Sequence, residues 1–149
     1  MKKESVRLTL LFHRIQQLSR DLNKYLNESL EEEDIYMSHW AVLFQLESND
    51  GCMTQAELKE RLNIEAPPLS RVIQKLVKLG YIEKNKSKDQ RTNDITITRK
   101  GEERYPFWRK AIGEAEERLL EKLGTTGEKA LEEHVLSLSR MVSEERRGS

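Results

Sequence analysis

Apolar residues recur at steps of three and four through most of this chain, and alternate with polar ones in two short runs near its middle. From Val6 to about Leu30 the series Leu8, Leu11, Ile15, Leu18, Leu22 and Tyr25 predicts a long first helix. Its seam is closer to a coiled-coil repeat than to one edge of a globular core, and some 25 residues would span about 37 Å. Glu31-Glu32-Glu33-Asp34 reads as a solvated acidic loop. Ser38 is the expected N-cap of a second helix through about Ser48, with Trp40, Leu43, Phe44 and Leu46 inward. Asn49-Asp50-Gly51 ends it, and Cys52-Met53 forms a short extended piece that could pair with a later hairpin.

The centre of the pattern runs from Thr54 to Gly101. Thr54-Gln55-Ala56-Glu57 is a capping box, in which hydroxyl and carboxylate each satisfy an unpaired amide at a helix start. That helix is short, to about Leu62. Asn63 to Pro68 then reads as a turn and a second start, since proline lacks an N–H that a first helical turn would leave unpaired anyway. Leu69, Val72, Leu76 and Leu79 stripe one face of the next helix, and Gly80 supplies a left-handed stop. Ser70, Arg71, Gln74, Lys75 and Lys78 occupy the opposite face. Two short helices across a tight turn, the second with a basic, hydrogen-bonding outer face, make a helix-turn-helix.

Tyr81-Ile82-Glu83-Lys84 and Ile95-Thr96-Ile97-Thr98 are strand-forming runs. Between them, residues 85–94 are polar, turn-rich and basic. A hairpin with a charged tip directly after a recognition helix is a wing, placed to lie along phosphates or enter the minor groove. At this point the chain resembles a known family. Asp89-Gln90-Arg91 followed by Ile97-Thr98-Arg99-Lys100-Gly101 is similar to the Asp-x-Arg … Leu-Thr-x-x-Gly signature of the MarR-type winged-helix transcription regulators. The segment from Leu69 to Ile82 is similar to that family's recognition helix and its exit. The resemblance extends over nearly the whole chain. It implies a dimer, and a pocket between the helical layer and the wing domain that often takes aromatic acids or other small anions.

After the wing, Thr98 to about Leu123 reads as another long helix. Either Pro106 sits in an early turn of it, or the helix proper begins there. Phe107, Ala111, Ala115, Leu119 and Leu123 fall four apart. Thr125-Thr126-Gly127-Glu128 is a second capping box, and Leu131, Val135, Leu138 and Val142 stripe a last helix, with fraying expected from Glu144 onward. The terminal helices carry more apolar face than one small winged helix can cover, and pairing of two copies is the economical solution. Such pairing also presents two recognition helices at about 34 Å, one turn of DNA.

The expected architecture is therefore α+β and mostly helical: a winged helix-turn-helix with long N- and C-terminal helices forming a dimerisation layer. Residues 1–149 form a single domain, with 1–34 and 102–149 as the helical dimerisation region and 38–101 as the winged-helix region. At 149 residues the chain can bury a sizeable core. No apolar run approaches a membrane span, and Met1-Lys2-Lys3-Glu4 leads into an amphipathic pattern rather than a signal peptide. One cysteine excludes an internal disulfide framework, and a cytoplasmic protein fits best. The formal net charge of zero hides a segregation: residues 1–53 carry −3, 54–101 carry +5 and 102–149 carry −2. A basic centre between acidic flanks supplies the local field that nucleic-acid binding needs.

The candidate DNA-binding residues are Ser70, Arg71, Gln74, Lys75, Lys78, Lys86, Lys88, Asp89 and Arg91. Arg and Gln can make bidentate bonds to base edges, while Ser and Lys more often serve phosphates. Arg91 at the wing tip suits the negative potential of a minor groove. Asp89 repels DNA by its charge, so its useful role is to accept from Arg91 or nearby amides and fix the loop. Lys78, Lys84, Lys86 and Lys88 have two readings, phosphate contacts or solvated charge. Pro67 and Pro68 depart from the hydroxyl or small residues common in the family. They remove two amides that would help cradle a phosphate, so anchoring should lean on Ser70 and the wing. For an effector pocket the candidates by position are His13, Arg14, His39 and Trp40, whose alternative is core packing and interface polarity.

His13, His39 and His134 fall on separate helices without paired-ligand spacing, and no phosphate loop, nucleophile elbow or Cys-x-x-Cys occurs. No metal, cofactor or enzymatic activity is expected. The family's peroxide-sensing branch keeps its cysteine on the first helix, where this chain has Leu11-Phe12-His13, so Cys52 reads as a small apolar strand residue. These readings converge on a sequence-specific double-stranded-DNA-binding regulator, a homodimeric repressor on a palindromic operator, released by a small aromatic or anionic effector. The competing reading is a dimeric small-molecule-binding or protein-interaction module whose winged helix no longer reads DNA.

Overall fold

The computed structural model describes residues 6, 8–89 and 91–148. Met1 to Glu4 and the central Gln90 of the Asp89-Gln90-Arg91 motif lie outside them. The element order is α1 (Leu10–Glu28), α2 (Met37–Ser48), β1 (Cys52–Thr54), α3 (Gln55–Leu62), α4 (Ala66–Leu79), β2 (Ile82–Lys86), β3 (Asn93–Ile97) and α5 (Arg99–Gly148). The three strands form an antiparallel sheet in the order β1-β3-β2. Cys52-Met53 thus becomes the third strand, Met53 opposite Ile95. The chain is an α+β winged helix, mostly helical. It divides into two compact units, residues 1–112 and 113–149.

In the first unit the core gathers around Leu43, Leu46, Leu58, Leu69, Ile73, Leu76, Ile95 and Trp108, all fully buried. α1 begins at Leu10, four residues after the expected start at Val6, and the Thr9 hydroxyl accepts from the Leu11 amide and caps it there. Only the end of that helix enters the core, at Leu26. Leu11, Ile15, Leu18 and Leu22 remain exposed.

Several expectations are corrected by packing. α2 starts at Met37 with Tyr36 as its N-cap, not at Ser38. The Tyr36 amide donates to Nδ1 of His39 at 2.8 Å and the Met37 amide to Oδ1 of Asn27 at 2.7 Å, so a residue on α1 shares the capping. Phe44 is 47% exposed rather than inward. On α4 the buried seam is Leu69, Ile73 and Leu76, and Val72 and Leu79 are only half-buried. On α5 the buried residues are Tyr105, Trp108, Ile112 and Ala115; of the expected series Ala115 is inward, while Phe107, Leu119 and Leu123 are exposed.

α5 begins at Arg99 and carries Pro106 within it. In the second unit the helix is interrupted at Gly124, whose dihedrals (φ 78°, ψ 163°) are not helical, and it continues through Gly148. Leu131, Val135, Leu136, Met141 and Val142 are exposed there.

Candidate nucleic-acid interface

The helix-turn-helix is set by local chemistry. The Glu57 amide donates to the Thr54 hydroxyl at 3.1 Å and the Thr54 amide donates to the Glu57 carboxylate at 3.0 Å, closing both halves of the capping box. These bonds from Thr54, with Arg61 adding less, hold the Glu57 carboxyl below its ordinary range. Asn63 takes the left-handed conformation (φ 51°) and turns the chain into α4. At the other end Gly80 (φ 84°) ends α4. The Tyr81 amide bonds back to Leu76 and that of Gly80 to Val77, both at 3.0 Å, a doubled C-terminal closure.

With Leu69, Ile73 and Leu76 inside, Arg71, Gln74, Lys75 and Lys78 share one exposed face of α4 at helical spacing. Ser70 is half-buried beside them, its Oγ accepting from Nε2 of Gln55 on α3 at 3.1 Å. Four of the candidate residues thus stand open to solvent, and the fifth is tied to the neighbouring helix.

The wing is better paired than its polar sequence suggests. β2 and β3 extend to the pair Lys86 and Asn93, leaving a tip of residues 87–92 rather than 85–94. Asp89 organises that tip. Its Oδ1 accepts from the Ser87 hydroxyl at 2.6 Å and the Arg91 amide at 3.1 Å, and the Ser87 amide reaches the Thr92 carbonyl at 2.8 Å. The hydroxyl bond first, and the amide second, lower the Asp89 carboxyl below its ordinary value. The loop-fixing role argued for Asp89 is therefore met through the backbone of Arg91, while Arg91, Lys86 and Lys88 are exposed.

The root of the wing is fastened by residues whose roles sequence reasoning missed. The Thr98 hydroxyl donates to the Gly80 carbonyl at 2.6 Å and accepts from the Gly101 amide at 3.1 Å, which ties the end of α4 to the start of α5. Lys100 donates to the Leu79 carbonyl at 2.8 Å and lies over the Tyr81 ring. The acidic run expected to be a solvated loop is half engaged. Tyr81 donates to both oxygens of Asp34 at 2.9 and 2.8 Å, and Arg104 pairs with Glu33. Burial first, then the bond to Asp34, pushes the Tyr81 phenol up to about 12. These contacts join residues 47 and 71 positions apart, and no local pattern announces such partners.

The effector candidates divide. His13 and Arg14 are exposed on α1. His39 is buried, its Nδ1 engaged by the Tyr36 amide. Burial and then the charge of Lys75 lower its pKa, with Asp34 opposing. Trp40 stacks on Tyr105 at 4.9 Å. Both are occupied in packing within the first unit. Cys52 is exposed on β1, its sulfur accepting from the Thr96 hydroxyl at 3.4 Å. Among the described residues no group of three or more His, Cys, Asp or Glu is placed to hold a metal ion, and no helix is long and apolar enough to cross a membrane.

The MarR family model matches residues 34–91, from the acidic loop to the wing tip. The uncharacterized HTH-type transcriptional regulator YwoH of Bacillus subtilis (strain 168) is 37% identical over 95 residues, 64% of this chain and 69% of that protein. Further Bacillus relatives of the same description are 30% identical and are matched over 62% of their length. A mutant MarR from E. coli, solved in complex with operator DNA, is similar in fold at a TM-score of 0.79 and 23% identity, covering 86% of this chain and 92% of that one. The organohalide sensing RdhR regulator in its 2,4-dichlorophenol bound form is similar in fold at 0.81 and 18% identity, covering 89% and 79%. Helix, wing and sequence identity thus agree, and the chain belongs to the MarR family of HTH-type transcription regulators.

Proposed function

We propose that this regulator works in the cytoplasm as a homodimer on a roughly palindromic operator, represses by occluding a promoter, and is released by a small aromatic or anionic effector. The observation that carries the reading is the exposed row Arg71, Gln74, Lys75 and Lys78 on α4, beside a wing whose tip Asp89 holds closed around Arg91. α4 supplies bidentate side chains for base edges in the major groove. Arg91 enters the adjoining minor groove, and Lys86 and Lys88 neutralise phosphates. The bases are read, with no reaction performed on them.

Pairing follows from solvation. Leu11, Ile15, Leu18 and Leu22 stand exposed on one helix, and each side chain of this kind contributes about 1.5–3 kcal/mol when covered. A dimerisation layer built from residues 1–34 and 102–149 would cover them and place two recognition helices on one duplex. The E. coli MarR complex supports DNA as the partner, and the 2,4-dichlorophenol form of RdhR supports an aromatic effector. An effector releases DNA only as far as it binds the DNA-free conformation better.

The test is duplex selection from a random pool by the purified protein, followed by affinity against salt and mass by light scattering. A dimer that enriches an inverted repeat, with affinity falling by orders of magnitude between low and physiological salt, is the expected result. A monomer that retains no duplex at low ionic strength ends the reading.

A further inference from the structure

The start of α4 is poorly equipped to hold a phosphate by its backbone. Its N-cap is Glu65, whose side chain makes no capping bond and whose charge repels DNA. Pro67 and Pro68 contribute no amide, and that of Leu69 is spent on the Glu65 carbonyl at 3.2 Å. The anion-binding capacity of a helix N-terminus rests on free amides, and here it is largely removed. Besides the Ala66 amide at the first helical position, the hydroxyl of Ser70, half-buried just inside the helix, is a neutral donor that remains nearby.

A serine hydroxyl inside a helix has another use for its proton. It can turn back onto the carbonyl one turn earlier. In this chain the oxygen is held from the side. Nε2 of Gln55 donates to Ser70 Oγ at 3.1 Å, and Oε1 of the same amide is enclosed with no partner. Gln55 is itself fixed, being the first residue of α3 immediately after the Thr54 cap. A hydroxyl has one proton and two lone pairs. With one lone pair taken by the amide, the proton stays available, and accepting a bond polarises the O–H toward donating another.

We infer that Gln55 is a positioning residue for DNA binding, whose amide holds the Ser70 hydroxyl so that its proton is given to a backbone phosphate. The inference rests on the DNA-binding reading above. It makes the contact between α3 and α4 part of the reading head: one helix aims the donor and the other carries it. If the amide were turned the other way, Oε1 would take the serine proton, and Gln55 would compete with the phosphate instead of serving it. The two orientations have opposite consequences when the amide is removed.

The experiment uses the full chain and a fluorescein-labelled duplex selected by the wild-type protein, read by anisotropy across a salt series. Gln55→Met keeps length and removes the amide. It is expected to weaken binding about five- to tenfold, part of the worth of one hydrogen bond to a charged group. Ser70→Ala weakens it at least as much, and adding Gln55→Met to Ser70→Ala costs no further factor beyond about twofold. Ser70→Thr, which keeps the hydroxyl, keeps the dependence on Gln55. The salt slope of Gln55→Met stays at the wild-type value, because a neutral donor releases no counterion. A merely structural role would displace α4, lose lysine contacts and flatten that slope.

Unchanged or tighter binding by Gln55→Met, losses that multiply in the double variant, or a flattened slope would each overturn the inference while leaving the DNA-binding reading standing. A wild-type protein without salt-dependent duplex binding would remove both.

Discussion

At Gly101 the family signature becomes a distance. A Cβ built there would lie 2.4 Å from the Tyr81 carbonyl oxygen and 2.7 Å from Cγ1 of Ile97. The first neighbour is backbone, pinned by the Thr98 amide at 3.0 Å, so it has little room to yield. Gly101→Ala is therefore expected to destabilise the fold by about 2–4 kcal/mol, in the range of severe overpacking. A denaturant midpoint shift without a change in slope would register it, and a shift below about 0.5 kcal/mol would show that the close approach is relieved cheaply. Arg91 is the complementary case, exposed and costless to the fold. Arg91→Ala should leave thermal stability alone, weaken operator binding, and lower the salt slope by about one unit. An unchanged slope would place the guanidinium away from phosphate.

Among the elements, those legible in the sequence are the ones whose determinants are neighbours in the chain. The Thr54–Glu57 box and the left-handed Gly80 depend on residues a few positions apart and took the expected form, as did the alternation in β3, whereas β2 buries only Ile82. Faces chosen by distant partners were not legible. Val72 and Ile73 both fit a three-four rhythm with Leu69 and Leu76, and only packing decides that Ile73 turns inward. The same holds for Phe44 and for Trp108, which is 0% exposed although its neighbour Phe107 carries an equally apolar ring. Of the candidate interface, the α4 row and the Asp89 loop were readable, whereas Gln55 on Ser70 and Tyr81 on Asp34 were not. The start of α2 was misread for this reason too, since its cap uses His39 from within and Asn27 from α1. That cap has a pH dependence. Burial and then Lys75 hold His39 below its ordinary value of 6.5, and its Nδ1 must stay unprotonated to accept from Tyr36. The folded state thus binds a proton later than the unfolded chain. The contribution is present above pH 6.5 and is lost as pH falls toward the lower folded value. His39→Gln, which keeps an acceptor without titrating, should flatten the stability curve below about pH 6.5, down to where the carboxylates begin to titrate. An identical curve for both proteins would remove His39 as the cause.

For the whole molecule, the question is what covers the apolar seam of α1. Leu18 is 58% exposed, and Ile15 and Leu22 are each 40% exposed, on a helix whose far end alone enters the core. Isolated exposed leucines are ordinary, whereas a row at heptad spacing is the pattern that paired helices use. The neutral chain adds no net repulsion against association. If the seam is the centre of the dimer, charges introduced there should be tolerated by the winged-helix core and fatal to pairing. Ile15→Glu combined with Leu18→Glu is accordingly expected to give a folded monomer with a near-native helical signal. It should bind the full inverted repeat at least about a hundredfold more weakly, because the second recognition helix no longer arrives at the effective concentration that a tether provides. Light scattering and anisotropy on one sample read the two consequences together. A variant that remains dimeric would mean that the exposed row on the second unit, Leu131 to Val142, carries the pairing. A monomer that kept full affinity would show that one copy of α4 and its wing is enough to read the site.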